Sequence, residues 1–186
     1  MLEKESKINN YQIKRLYEIL LSNDVVKSIN DNMEYLLDII PEIKNMIDFP
    51  HNNPHHHLDV WKHTLYALSL SDCDFDVRLT LLLHDIGKPF SYQDDEIRHF
   101  HNHPEVSYEM SRIILNRLNF NKDYIEEICY LIKYHDDAIT ESDILNNYEL
   151  AYKRYQIQEC DALAHHPEKL EKRKRYLERT RKLLNY

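Results

Sequence analysis

Apolar residues recur along this chain at intervals of three and four, the helical period, and no stretch sustains the two-residue alternation of a half-buried strand. The pattern predicts an all-α bundle of about seven helices. The first runs from Ile8 to Leu21 on Ile8, Tyr11, Ile13, Leu16, Ile19 and Leu20, and a second from about Asp24 to near Pro41. Prolines and asparagines break helix over 49–57, before a helix from Asp59 to about Ser71. Residues 76–86 are almost continuously apolar, which predicts a central, buried helix, and Gly87 follows at the position where helix ends favour glycine. Further helices are expected over 104–118, opened by Pro104, and over 123–135, 148–164 and 167–184.

Six polar residues interrupt these apolar faces. His63 shares a stripe with Val60, Ala67 and Leu70, His103 with Val106, Met110 and Ile113, and His135 with Ile125, Ile128 and Ile132, while Asp161 lies between Ile157 and Ala164. An unpartnered buried polar group costs roughly 2–7 kcal/mol, and a charge more. One hydrogen bond can satisfy any single histidine, so a purely structural bundle is the simplest alternative. The doublet His84-Asp85 argues for more. It sets two metal-ligand types at the end of the most apolar helix, about 100° apart, so that His84 can serve one ion while the two oxygens of Asp85 bridge two.

Composition narrows the function. At 186 residues the chain is long enough for one domain that needs no disulfide. Cys73, Cys129 and Cys160 lie far apart without Cys-x-x-Cys spacing, which fits ordinary thiols in a reduced compartment. No run approaches the ~18 apolar residues of a membrane span, and the first residues lack a signal-peptide pattern, so a cytoplasmic protein with no membrane partner is expected. A net charge of −8 argues against strong nucleic-acid binding, but not against a small anion drawn to a bound cation. The single glycine leaves no phosphate-cradling loop of the Rossmann or P-loop kind. Between Glu168 and Lys182, eight Lys or Arg stand against three Glu, which reads as a solvated basic face.

The segment Leu82-Leu83-His84-Asp85-Ile86-Gly87-Lys88-Pro89 resembles the central signature of the HD-domain superfamily of metal-dependent phosphohydrolases. His63 in Val60-Trp61-Lys62-His63-Thr64-Leu65 and Asp161 in Cys160-Asp161-Ala162-Leu163-Ala164 match its first and last ligands, and His103 and His135 the added histidines of its binuclear members. Pro41-Glu42 and the run from His57 to Thr64 are similar to the HD domain appended to bacterial CCA-adding tRNA nucleotidyltransferases.

The resemblance implies a single HD domain over 1–186, with 1–7 disordered, a core over 35–165 and a basic C-terminal helix over 167–184. It implies one or two divalent ions, Mn, Fe, Co, Ni, Zn or Mg, one held by His63, His84, Asp85 and Asp161 and a second by Asp85, His103 and His135. Asp85 and Lys88 are the expected catalytic residues, and Lys88 and His57 the substrate contacts. A metal-activated hydroxide would cleave a phosphomonoester or phosphodiester of a small, nucleotide-like molecule, as a phosphatase or a 2′,3′-cyclic phosphodiesterase. Terminal nucleotide addition is not expected of these residues alone. His51, His55, His56, His99, His101, His165 and His166 are expected to be solvated. The rival reading is a non-catalytic, metal-stabilised helical module that binds a phosphorylated ligand. Oligomeric state carries no signal in the sequence.

Overall fold

The computed structural model describes residues 2–52, 57–94 and 96–184, apart from the side chains of residues 2–10 and 169. His55 and His56 therefore lie outside the described residues. Helix dominates, as the apolar period requires: α1 (Leu2–Leu20), α2 (Val25–Asp31), α3 (Met33–Ile39), α4 (Val60–Ser69), α5 (Phe75–Leu83), α6 (Lys88–Ser91), α7 (His103–Arg117), α8 (Lys122–Lys133), α9 (Glu141–Asn146), α10 (Tyr148–Leu163) and α11 (Leu170–Leu183). None of the described helices is long and apolar enough to cross a membrane.

The excess over the eight spans expected arises from short elements. The helix expected from Asp24 to Pro41 divides at Asn32, whose amide donates to the Ser28 carbonyl (2.8 Å) while its oxygen accepts from Arg15 (3.0 Å). Such local side-chain bonds offer the backbone an alternative to helix. A 3₁₀ turn, Pro41–Asn45, follows α3. Helix α9 forms in a region expected to be loop, on a capping box between Thr140 and Asp143. No strand was expected, yet β1 (Gln93–Asp94) pairs antiparallel with β2 (Arg98–His99). Two residues per strand are too few to leave an alternating pattern in sequence. Helix α1 starts at Leu2, ahead of Ile8, where the apolar pattern begins.

Helix α5 is central, as its composition predicts: Phe75 and every residue from Val77 to Leu83 are buried, and α1, α4, α8 and α10 surround it. Its one buried cation, Arg78, donates to the carbonyls of Leu20 (2.6 Å), Ser22 (2.8 Å) and Ser71 (3.2 Å) and to the Ser71 hydroxyl (3.0 Å), tying the end of α1 to α5. A smaller apolar cluster, including Ile139, Ala151, Tyr155, Ala162, Leu177 and Leu184, seats α11 on α10.

Gly87 does not act as a left-handed helix stop, for its φ is −83°. Its role is close approach. A Cβ there would lie 2.5 Å from the Ser107 backbone nitrogen and 2.9 Å from Val106 C, while the Gly87 N–H donates to Ser107 Oγ at 3.0 Å. The missing side chain lets α7 press against the turn that carries His84 and Asp85. Gly87→Ala is expected to lower stability by about 1–3 kcal/mol, the cost of overpacking against backbone that cannot yield. Urea unfolding measures it, and an unchanged midpoint would mean that α7 moves aside freely.

Candidate metal centre

Helix ends build this site. His63 lies in the second turn of α4, His84 and Asp85 just past α5, His103 at the start of α7, His135 two residues past α8, and Asp161 in the last turn of α10. The final carbonyls of a helix lack intrahelical partners. Imidazoles occupy several of them: Nδ1 of His84 lies 2.7 Å from the Leu81 carbonyl, that of His135 2.6 Å from Ile132, and that of His63 3.3 Å from Ala164. His103 Nδ1 lies 3.0 Å from the Phe100 carbonyl. Each Nδ1 can donate to its carbonyl, which turns each Nε2 towards the centre, the arrangement that orients metal-ligating histidines.

The Nε2 atoms and the two carboxylates converge. His63 Nε2 is 2.8 Å from Asp161 Oδ1 and 3.7 Å from Asp85 Oδ2, and His84 Nε2 is 3.3 Å from Asp85 Oδ2 and 3.7 Å from Asp161 Oδ1. On the other side, His103 Nε2 is 3.4 Å from Asp85 Oδ1 and 3.3 Å from His135 Nε2. Three overlapping groups can each hold a metal ion: His63, His84 and Asp161; His84, Asp85 and His135; and His103, His135 and Asp136. Within each group the ligand atoms lie within 4.8 Å of one another.

Burial makes this convergence expensive unless something answers it. His84 and Asp85 are fully buried, and neither His84 Nε2 nor either Asp85 oxygen has a hydrogen bond of acceptable geometry. The Lys88 ammonium lies 2.7 Å from Asp85 Oδ2, close enough to attract but not aligned as a hydrogen bond. Three orphaned buried atoms of metal-ligand type, amid further imidazoles, fit a divalent cation.

The charges are strongly coupled. Burial penalises the Asp85 carboxylate, but His84 and Lys88 outweigh it and hold its pKa well below the usual range. Asp161 is likewise held down, against burial, by His165 and His63. Burial disfavours the His84 imidazolium, yet Asp85 and Asp161 raise that ring to about 10. Burial and then Lys88 push His51 down to about 2 and His103 to about 4, and burial pushes His165 to about 4 despite Asp161.

These shifts fix a stability profile for the metal-free protein. His51, His103 and His165 fold with pKa values below the ordinary 6.5, so as pH drops below 6.5 the unfolded chain takes up protons that the folded one refuses, and stability falls. The raised His84 contributes fully below 6.5 and loses its contribution as pH rises towards about 10. Stability in chelator should therefore peak near pH 6.5, changing by roughly 1.4 kcal/mol per pH unit for each histidine where it titrates. Urea melts from pH 4 to 10 test this, and a monotonic rise through pH 9 would contradict it.

Sequence reasoning missed several residues here. His51 and His165, expected to be solvated, are buried at the centre. His51 Nδ1 lies 2.8 Å from the Leu58 carbonyl and its Nε2 3.2 Å from Lys88 Nζ, so the ring braces the lysine. His165 Nδ1 lies 2.8 Å from the Asp161 carbonyl. His51 sits on no helical stripe, so periodicity gave no signal there; His165 lies four residues past Asp161, in line with its face but beyond the end of its helix. Asp136, its side chain 44% exposed, reaches 3.6 Å from His103 Nε2 and 3.7 Å from His135 Nε2; its adjacency to His135 was the one available hint. Lys88 is buried, not an ordinary surface lysine. His57 is exposed, its ring 5.5 Å from that of His166, and lines neither cavity at the centre. His99 is exposed and His101 stacks on it at 5.3 Å.

Two cavities meet at the centre. A mouth of about 200 Å³ is lined by Lys88, His103 and His165 among others, and a groove of about 880 Å³ runs beneath α11.

The HD domain family model matches residues 55–182, more than half of the chain. The chain is 33% identical over 110 residues to the CC-adding tRNA nucleotidyltransferase of Thermus thermophilus, covering 55% of this chain and 25% of that protein. It is 36% identical over 88 residues to the A-adding tRNA nucleotidyltransferase of Deinococcus radiodurans (43% and 20%), and 30% identical over 105 residues to the Multifunctional CCA protein of Hahella chejuensis (54% and 24%). It thus spans a quarter or less of each of these relatives. With the His-Asp doublet, the converging imidazoles and a match of this extent in hand, the chain belongs to the HD domain family, within a superfamily of metal-dependent phosphohydrolases.

Proposed function

We propose that this protein hydrolyses phosphoesters of a small, nucleotide-like molecule at a centre that holds one or two divalent ions. The observation that carries this reading is Asp85: both oxygens are buried without a hydrogen bond, between imidazoles on two sides. His63, His84, Asp85 and Asp161 would hold one ion, and Asp85, His103 and His135 a second, with Asp136 beside them. Imidazole with carboxylate suits Mn, Fe, Co, Ni or Zn, and admits Mg. Bound there, a divalent cation would lower the pKa of coordinated water and offset charge on phosphoryl oxygens.

The chain's own groups do the rest. Lys88, braced by His51 and drawn to Asp85, keeps a cation at the mouth as a phosphate contact. Carbonyl contacts at Nδ1 hold the rings of His63, His84, His103 and His135 with Nε2 towards the centre, so no ring need turn on binding. The apolar residues of α5 behind the doublet keep bulk water from its rear.

The test loads purified protein with each of these ions in turn and assays p-nitrophenyl phosphate, bis-p-nitrophenyl phosphate, and 2′-, 3′-, 5′- and 2′,3′-cyclic nucleotides. Turnover that requires one of the ions is the expected result. Folded, metal-loaded protein with no turnover on any of them would overturn hydrolysis in favour of a binding module.

A further inference from the structure

We infer that the groove beneath α11 is a second half of the substrate site, which holds the nucleoside of a ribonucleoside phosphate while Arg173 holds its phosphate. The inference rests on the phosphohydrolase reading above and assigns a role to a helix whose charges otherwise read as a solvated face.

The two cavities are continuous, since His135, Asp136, Asp161 and Arg173 line both. The mouth, at about 200 Å³, has room for a phosphoryl group, whereas the groove's 880 Å³ lies within the range of small-molecule sites, roughly 300–1,000 Å³. A substrate no larger than a phosphate would leave the groove unused. Arg173 stands at the junction. Its side chain is 38% exposed and its Nη1 lies 3.7 Å from Asp161 Oδ2, too far for a hydrogen bond, so that the guanidinium reaches the edge of the centre with donors to spare. A planar fork of this kind matches two phosphate oxygens at once.

Beyond the junction the groove changes character. Tyr176 lines it with its hydroxyl fixed at both ends, donating to Gln158 Oε1 (2.7 Å) and accepting from the Ile139 N–H (3.2 Å). A ring so immobilised offers a planar surface at little entropic cost to a stacked base. Glu168 and Glu171 also line the groove. Ionised carboxylates accept hydrogen bonds only, which suits the vicinal hydroxyls of a ribose. They also repel further phosphates, so a nucleoside suits this groove and a polynucleotide backbone does not; Lys172 offsets only part of that charge.

The test uses protein loaded with Zn²⁺ and two ligands that cannot be hydrolysed: a phosphonate analogue of AMP, with carbon in place of the ester oxygen, and methylphosphonate, which has the same head without the nucleoside. By calorimetry, the nucleoside phosphonate should bind at least tenfold more tightly. Arg173→Ala should weaken its binding at least tenfold and Arg173→Lys by less, whereas Glu171→Gln should narrow the gap between the two ligands. Equal affinity for the two phosphonates, or an Arg173→Ala effect within twofold in a variant that melts like the wild type, would overturn the inference. Turnover of p-nitrophenyl phosphate without a nucleoside preference would remove this subsite and leave the hydrolase reading intact. Tight nucleoside phosphonate binding without turnover of any phosphoester would do the reverse.

Discussion

Asp85→Asn should strip the centre of its ion and lower kcat/KM for phosphoester hydrolysis by about a thousandfold or more, the scale on which principal catalytic groups act. The substitution keeps the shape of the side chain and removes its charge. That charge offsets His84 and Lys88, whose nitrogens stand 3.3 and 2.7 Å from Asp85 Oδ2. Without it His84 and Lys88 lose their nearest counter-charge, with Asp161 left 3.7 Å from His84 Nε2, and breaking a buried pair in this way costs about 3–5 kcal/mol. Metal content by elemental analysis, kcat/KM and urea unfolding should therefore all move together. A variant that retained stoichiometric metal and wild-type turnover would remove Asp85 from the centre and the proposed mechanism with it.

Metal loading should stabilise the fold by about 4 kcal/mol when free ion exceeds its Kd a thousandfold. For a chain of this size that corresponds to roughly 8–16 °C in Tm. The reason lies in the orphaned atoms: His84 Nε2 and both Asp85 oxygens are desolvated without hydrogen bonds. Each such group costs about 1–3 kcal/mol until it is answered. Loading should also release close to one proton near pH 7, because His84, raised to about 10 in the metal-free protein, must surrender its Nε2 proton to act as a ligand. Affinity should accordingly rise with pH. Melting across an ion titration gives the first quantity, and calorimetry in two buffers of different ionisation enthalpy gives the second. A Tm that stays fixed at saturating ion would show that the centre is already satisfied by protons alone.

Much of the centre was legible because its signals are local. The doublet His84-Asp85 ends an almost wholly apolar helix, and His63, His103 and Asp161 fall on apolar helical stripes, so spacing alone marked them as buried polar groups. His51 was not legible, because it lies in a connecting segment where no periodicity separates a buried ring from a solvated one, and His165, though in line with Asp161, lies beyond the end of its helix. Arg173 is one of eight cations between Glu168 and Lys182, and nothing in that run distinguishes the one that reaches Asp161. Gly87 was singled out for a helix-end conformation it does not adopt, since the contact that excludes a side chain comes from Ser107, twenty residues away.

By itself the sequence determined the all-helical class, the central position of α5 and the residue types able to ligate a metal, since each follows from spacing within a few turns of helix. Only the tertiary structure decided which helix ends meet. His63 and Asp161 stand 98 residues apart in the chain and 2.8 Å apart in space, and that closure depends on packing among α4, α5 and α10 together. The direction of each Nε2, the bracing of Lys88 by His51 and the groove beneath α11 follow from the same long-range packing, which no local period encodes.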